Sequence, residues 1–290
     1  MDKCDILKTL VAEAGHSDLH FRTHAAVTMR VRHAIDDPDI SLVAVAKLIQ
    51  AEPVLAARVV AVANSVAFNA SGKTVADVRS AVARIGFRNV RSLATGLLVR
   101  QLGAGESGSP LQHRMASQLW EHTAHVTALA HVLARRVTRV DAEVALFTGI
   151  VHEIGGFYVL ARAADFPAVL EGDPADWNEA EVLDLEAELS RTVLRALAIP
   201  DAAMTALDDY WQGFLAMPPR TLGDTLLLAE DLAPVASPFR QLASRRDGKG
   251  QATVSGTEAS IEVVLGAETL SSILTESAEE VSSLTAALRL

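Results

Sequence analysis

The sequence predicts an all-α fold, on three observations. Apolar residues recur three or four positions apart along most of the chain, the spacing that paints one face of a helix. Half of the 290 residues are apolar yet only 4% are aromatic, a stock of small aliphatic side chains suited to close helix–helix contact. No stretch alternates apolar and polar residues convincingly at period two, as a half-buried strand would.

Taken in order, Ile6, Leu7, Leu10, Val11 and Ala14 share the face of a first helix that Gly15 ends. A second helix spans 25–35 and stops before the Asp36-Asp37-Pro38-Asp39 turn. Ser41 caps a third, with Leu42, Val45, Ala46 and Ile49 on its buried stripe. Pro53 opens a fourth, because a proline in the first turn forfeits no helical hydrogen bond, and it runs to Asn64-Ser65. Thr74, three residues before Asp77, resembles a capping box for a helix to Ile85, which Gly86 ends in a left-handed conformation. The next helix covers 87–102. Residues 103–110 are rich in glycine and serine and mark the best internal boundary, separating a subdomain of residues 1–106 from a second of 107–290. Beyond it, helices are predicted over 119–137, 142–151, 157–170, 179–197, 201–214 and 222–232, with a break at Gly155-Gly156. Residues 237–257 are polar and read as a mobile loop, and Leu270, Ile273, Leu274, Val281, Leu284 and Leu288 read as a C-terminal helix. No internal repeat is evident.

The formal net charge of -10 repels phosphate backbones and anionic lipid, so nucleic acid and membrane surfaces are poor partners. One cysteine, Cys4, excludes an intrachain disulfide and zinc sites built on cysteine pairs. Met1-Asp2-Lys3-Cys4-Asp5 carries charge where a secretory signal has its apolar stretch, and no apolar run approaches the roughly 18 residues of a membrane span. The expected location is the cytoplasm.

Nine histidines make a metal site worth testing. His152-Glu153 closes the apolar helix 144–151 just before a glycine turn, where an imidazole and a carboxylate could face one ion, and His122 could point to the same place. The commoner role of a histidine on a packed helix is to satisfy a backbone carbonyl. A zincin pattern is excluded, since position 156 is Gly156 rather than histidine. Gly72-Lys73-Thr74 lacks the earlier glycine of a phosphate loop, Ala67 standing there. Arg79, Arg84, Arg88 and Arg91 cluster around Gly86, which admits three readings: a solvated helix face, an anion or acidic-partner surface, or a helix-turn-helix on DNA. No nucleophile–base arrangement or nucleophile elbow stands out.

Several runs together resemble the HDOD family, a bacterial signalling module related to the HD metal-dependent phosphohydrolases. They are Asp37-Pro38-Asp39-Ile40-Ser41, Leu48-Ile49-Gln50-Ala51-Glu52-Pro53-Val54-Leu55-Ala56-Ala57-Arg58, Ala63-Asn64-Ser65-Val66-Ala67-Phe68 and Val78-Arg79-Ser80-Ala81-Val82-Ala83-Arg84-Ile85-Gly86. Leu119-Trp120-Glu121-His122-Thr123, Gly149-Ile150-Val151-His152-Glu153-Ile154-Gly155 and Leu228-Ala229-Glu230-Asp231-Leu232-Ala233 continue the likeness, which covers most of residues 20–235. It implies an N-terminal helical bundle packed on an HD-like C-terminal bundle, and a regulatory role in place of turnover. The metal-ligand positions of the related hydrolases fall on His122, His152-Glu153 and Glu230, with both aspartates replaced by glutamate. Further histidines of related proteins fall near Arg191 and Tyr210-Trp211, where none remains, and Phe21-Arg22-Thr23-His24-Ala25 and Glu52 also depart from the family pattern.

The expectation is a non-catalytic signalling protein that needs no cofactor and binds a divalent metal weakly if at all. Its partner would be another signalling protein or a nucleotide second messenger, held between the bundles or on the 64–91 surface, with Asn64, Ser65, Arg84, Arg88 and Arg91 as contact candidates. Asn64 could equally be a helix C-cap. The alternative is a residual metal-dependent phosphohydrolase acting on a nucleotide or cyclic dinucleotide. A DNA-binding regulator is a third.

Overall fold

The computed structural model describes residues 2–16, 25–51, 53–103, 109–170, 179–197, 199–216, 218–239, 264–265 and 268–289. The family-pattern departures at 21–24 and Glu52, and residues 240–257 of the expected loop, lie outside them.

The fold is all-α. Helix α1 is Lys3–His16, α2 Ala25–Ile35, α3 Leu42–Gln50 and α4 Pro53–Asn64. Ser41 caps α3 as its sequence predicts, its hydroxyl accepting from the Ala44 amide at 3.1 Å. Helix α5, Val78–Gly103, is two helices joined at Gly86, whose φ of 79° and ψ of 164° lie where only glycine is at ease. The expected positive φ is there, but the backbone is extended rather than coiled left-handed, so the chain bends without stopping. The cap of α5 is Asp77 and not Thr74: its carboxylate accepts from the Ser80 amide at 2.8 Å, which holds the Asp77 carboxyl below its usual range.

Helix α6, Pro110–Leu133, begins nine residues earlier than the spacing predicts, since Ser109 caps it and Pro110 occupies its first turn. A proline read as a breaker is here a starter. A π-helical turn, Ala134–Thr138, ends it at Arg139. Helix α7 is Ala142–Val151 and α8 Ile154–Arg162, so the break falls at His152-Glu153 and Gly155-Gly156 lie inside α8. The rest of the predicted 157–170 helix is a turn and the short 3-10 helix Pro167–Val169. Helices α9, Glu179–Ala196, α10, Asp201–Gln212, and α11, Leu222–Leu232, follow. Two-residue strands β1, Val264–Leu265, and β2, Glu268–Thr269, pair antiparallel. The expected C-terminal helix is two, α12, Leu270–Glu276, and α13, Ala278–Arg289, divided at the buried Ser277.

Ala142–Arg162 is long and apolar enough to cross a membrane, against the expectation that no apolar run approaches that length; its most apolar window is 78% buried within the fold. One continuous core links both halves of the chain. Helix α5 packs on α2 and α4 on one side and on α7 and α8 on the other, α6 packs on α7 and α11, and α13 bridges α4 and α6. Helix α1 packs on α9. Ser237 and Phe239, at the start of the expected loop, are buried.

Candidate functional site

Two helices must pack closely for His122 and His152 to meet. Gly149 allows it: a Cβ there would lie 2.8 Å from the Thr127 Cα, so α7 rides directly on the backbone of α6. His122, on the inner face of α6, and His152, at the C-terminal end of α7, are then both buried. His152 turns back on its own helix, its Nδ1 lying 2.6 Å from the Gly149 carbonyl oxygen, one of the last-turn carbonyls that have no helical partner. His122 Nδ1 lies 2.7 Å from the Val235 carbonyl oxygen. A carbonyl oxygen only accepts, so each Nδ1 carries a proton and donates, and each Nε2 of a neutral ring presents a lone pair.

Those lone pairs face one another at 3.2 Å. Glu230, on α11, brings Oε2 to 3.2 Å from His122 Nε2 and 3.7 Å from His152 Nε2. Glu153 places Oε1 3.7 Å from His122 Nε2. Tyr210 of α10 donates its hydroxyl to Glu230 Oε2 at 3.0 Å, fixing that carboxylate, and its ring stands edge-on to His152 at 5.8 Å. Four electron-rich groups thus converge in a buried space, and only a proton or a cation between them makes the arrangement favourable. Burial opposes charge on His122, but the hydrogen bond and charge of Glu230, with the charge of Glu153, outweigh it and raise that imidazole above its ordinary value.

The residues fit a divalent metal. One ligand atom each from His122, His152 and Glu230 lie within 4.8 Å of one another. Ligands about 2.1 Å from a tetrahedral ion stand about 3.4 Å apart, and the separations here are 3.2, 3.2 and 3.7 Å. Two imidazoles and a carboxylate suit zinc, iron or manganese. The extra methylene of glutamate therefore does not carry the Glu230 carboxylate out of range.

The other candidate residues are engaged within the chain and lie apart from this cluster. Asn64 donates to the Val75 carbonyl and accepts from the Val75 amide, both at 2.8 Å, closing the loop that follows α4. It is not a left-handed C-cap, since the one positive-φ residue other than glycine among those described is Arg139. The buried Ser65 hydroxyl donates to the Val62 carbonyl at 2.7 Å. Arg84 donates to the Ala63 and Lys73 carbonyls, at 3.0 and 2.7 Å. Arg88 pairs with Asp141 at 2.9 Å and Glu143 at 3.2 Å, and Arg91 pairs with Asp36. Trp120, beside His122, packs edge-on to Phe157 and donates to the Leu288 carbonyl at 3.2 Å. At Arg191 the guanidinium pairs with Asp208 at 2.6 Å and lies over Trp211. Sequence reasoning missed the supporting groups, namely Tyr210, the Val235 carbonyl and the tight Gly149 contact; none carries a local signature, because each acts only through a distant helix.

Among curated proteins no match was found. Three solved structures share the fold. A proposed metal-dependent phosphohydrolase from Shewanella amazonensis is 22% identical, with a TM-score of 0.69 and 99% of each chain covered. A second proposed phosphohydrolase from that organism is 21% identical over 91% of this chain and 93% of its own, with a TM-score of 0.60. An HDOD domain protein of unknown function from Geobacter sulfurreducens is 20% identical over 98% of this chain and 97% of its own, with a TM-score of 0.58. The HDOD domain profile matches residues 22–199, more than half of the chain. With the motifs in family order and the histidine pair in its expected place, this chain belongs to the HDOD family.

Proposed function

We propose that this protein is a non-catalytic regulatory HDOD protein that works by binding another signalling protein or a nucleotide, and that its histidine cluster is a polar scaffold with weak affinity for one divalent cation. The observation that carries this reading is the burial of the two imidazoles: His122 is 0% and His152 2% exposed, while Glu153 and Glu230 are half-buried. A catalytic metal keeps an open position for water and substrate. Here the Val235 backbone covers His122 and Tyr210 stands against Glu230 and His152. A phosphate would also have to approach two carboxylates, and the positions that would complete a second metal site hold Arg191, Tyr210 and Trp211.

The test is phosphate release from nucleotides and cyclic dinucleotides in the presence of Mn²⁺, Fe²⁺ or Zn²⁺. No release above that of His152→Ala is expected. Metal-dependent release that disappears in that variant would overturn the reading in favour of a residual phosphohydrolase, which the spacing of the three ligand atoms also supports. Capture of a partner from the native host, lost on changing residues of the 64–91 surface and kept in His152→Ala, is the positive counterpart.

A further inference from the structure

The His152-Glu153 turn has a second charged layer behind it. Gly155 brings α9 against that turn: a Cβ on Gly155 would lie 2.2 Å from Ser190 Oγ and 3.3 Å from the Glu186 carbonyl oxygen. Glu186 therefore sits at the back of the segment that carries Glu153. Burial pushes the Glu186 carboxyl above its usual range, Lys3 pulls it down, and the Glu153 charge pushes it up. The counter-charge comes from the far end of the sequence. Lys3, in the first turn of α1, is 2% exposed at its side chain and places Nζ 3.2 Å from Glu186 Oε1. A lysine is almost never buried without a purpose, since burial of its ammonium is costly unless it is paired. Helix α1 lies outside the residues matched by the family profile.

We propose that Lys3 is a positioning and charge-setting residue for the histidine cluster. Its ammonium offsets the Glu186 carboxylate and lowers the negative potential at Glu153, His122 and Glu230, which keeps the affinity of that cluster for a dication low. The N-terminal helix is then part of the site, and its seating on α9 sets how strongly the site attracts a cation. This inference rests on reading the cluster as a cation site.

Isothermal titration with Co²⁺ and with Mn²⁺ separates the outcomes, with thermal melts to confirm that each variant is folded. Lys3→Met removes the ammonium and, at a pH high enough to keep the Glu186 carboxylate ionised, is expected to tighten binding by roughly tenfold. Glu186→Gln removes the carboxylate charge while keeping the ammonium, and is expected to weaken it. The double variant removes both charges and is expected to return close to the wild-type affinity. Binding by Lys3→Met where the wild type binds no measurable ion supports the proposal equally. Wild-type binding with Lys3→Met unchanged or weaker, or with shifts that only follow loss of thermal stability, overturns this proposal and leaves the cation reading intact. Absence of binding in the wild type and Lys3→Met alike overturns both.

Discussion

At the scale of single residues, the site depends on atoms that are missing. A methyl group on Gly155 would stand 2.2 Å from Ser190 Oγ and 3.3 Å from the Ser190 Cβ and the Glu186 carbonyl oxygen, so α8 and α9 would have to separate. Gly155→Ala is expected to cost about 1–3 kcal/mol in urea unfolding, and Ser190→Ala in the same chain to recover part of that loss by removing the closest atom. A double variant no more stable than Gly155→Ala would count against this account. The sequence marks Gly155 plainly, but as the break between helices. The same letter serves a turn and a close approach, and only the position of α9 tells which. His152 and His122 were legible as a pair from the family motifs; the carbonyls that fix their tautomers were not, because Val235 is far from His122 in sequence and acts through its backbone.

At the scale of elements, the loop between α4 and α5 shows how polar side chains stand in for a missing regular partner. Asn64 makes two hydrogen bonds to Val75, and Arg84 reaches back to the Ala63 and Lys73 carbonyls. Asn64→Ala is expected to lower stability by about 1–3 kcal/mol in chemical denaturation, and Asn64→Asp to recover only the bond that its oxygen accepts. If Asn64→Ala instead abolished partner capture at unchanged stability, the residue would be a contact after all. Helix starts with hydroxyl or carboxylate caps were readable because capping is local chemistry, as Ser41 shows. The start of α6 was misplaced because Ser109-Pro110 carries both a turn signal and a helix-start signal, and local sequence does not rank them.

At the scale of the whole molecule, His131 gathers three remote segments. It lies on α6, its ring 5.4 Å from Phe68 of the α4–α5 connection, with Nδ1 3.9 Å from Glu280 of α13. Glu280 is shared with Arg135, so little of its charge is left for the imidazole. Burial first, and then the Arg135 charge, lower the His131 pKa from 6.5 to about 4. The unfolded chain therefore takes up a proton below 6.5 that the folded chain refuses until about 4. The stability due to a neutral His131 is complete above the upper value and is lost as pH falls across that window, by about 3 kcal/mol. Replacing His131 with leucine is expected to flatten this part of the stability–pH curve, measured by denaturant unfolding. An unchanged slope would mean that His131 is readily protonated in the fold.

The sequence by itself determined the class of the fold, the order of most helices, and the identity of the four groups at the centre of the candidate site. These are properties of periodicity, capping and motif, all of which act over a few residues or repeat in a family's order. The tertiary structure decided what those groups face. It set the 3.2 Å approach of two imidazole lone pairs, their enclosure beneath Val235 and Tyr210, and the reach of Lys3 to Glu186 behind them. Such pairings depend on the distances between helices far apart in the chain. Those distances follow from how the whole core packs, and in a close-packed interior no single residue pattern encodes them.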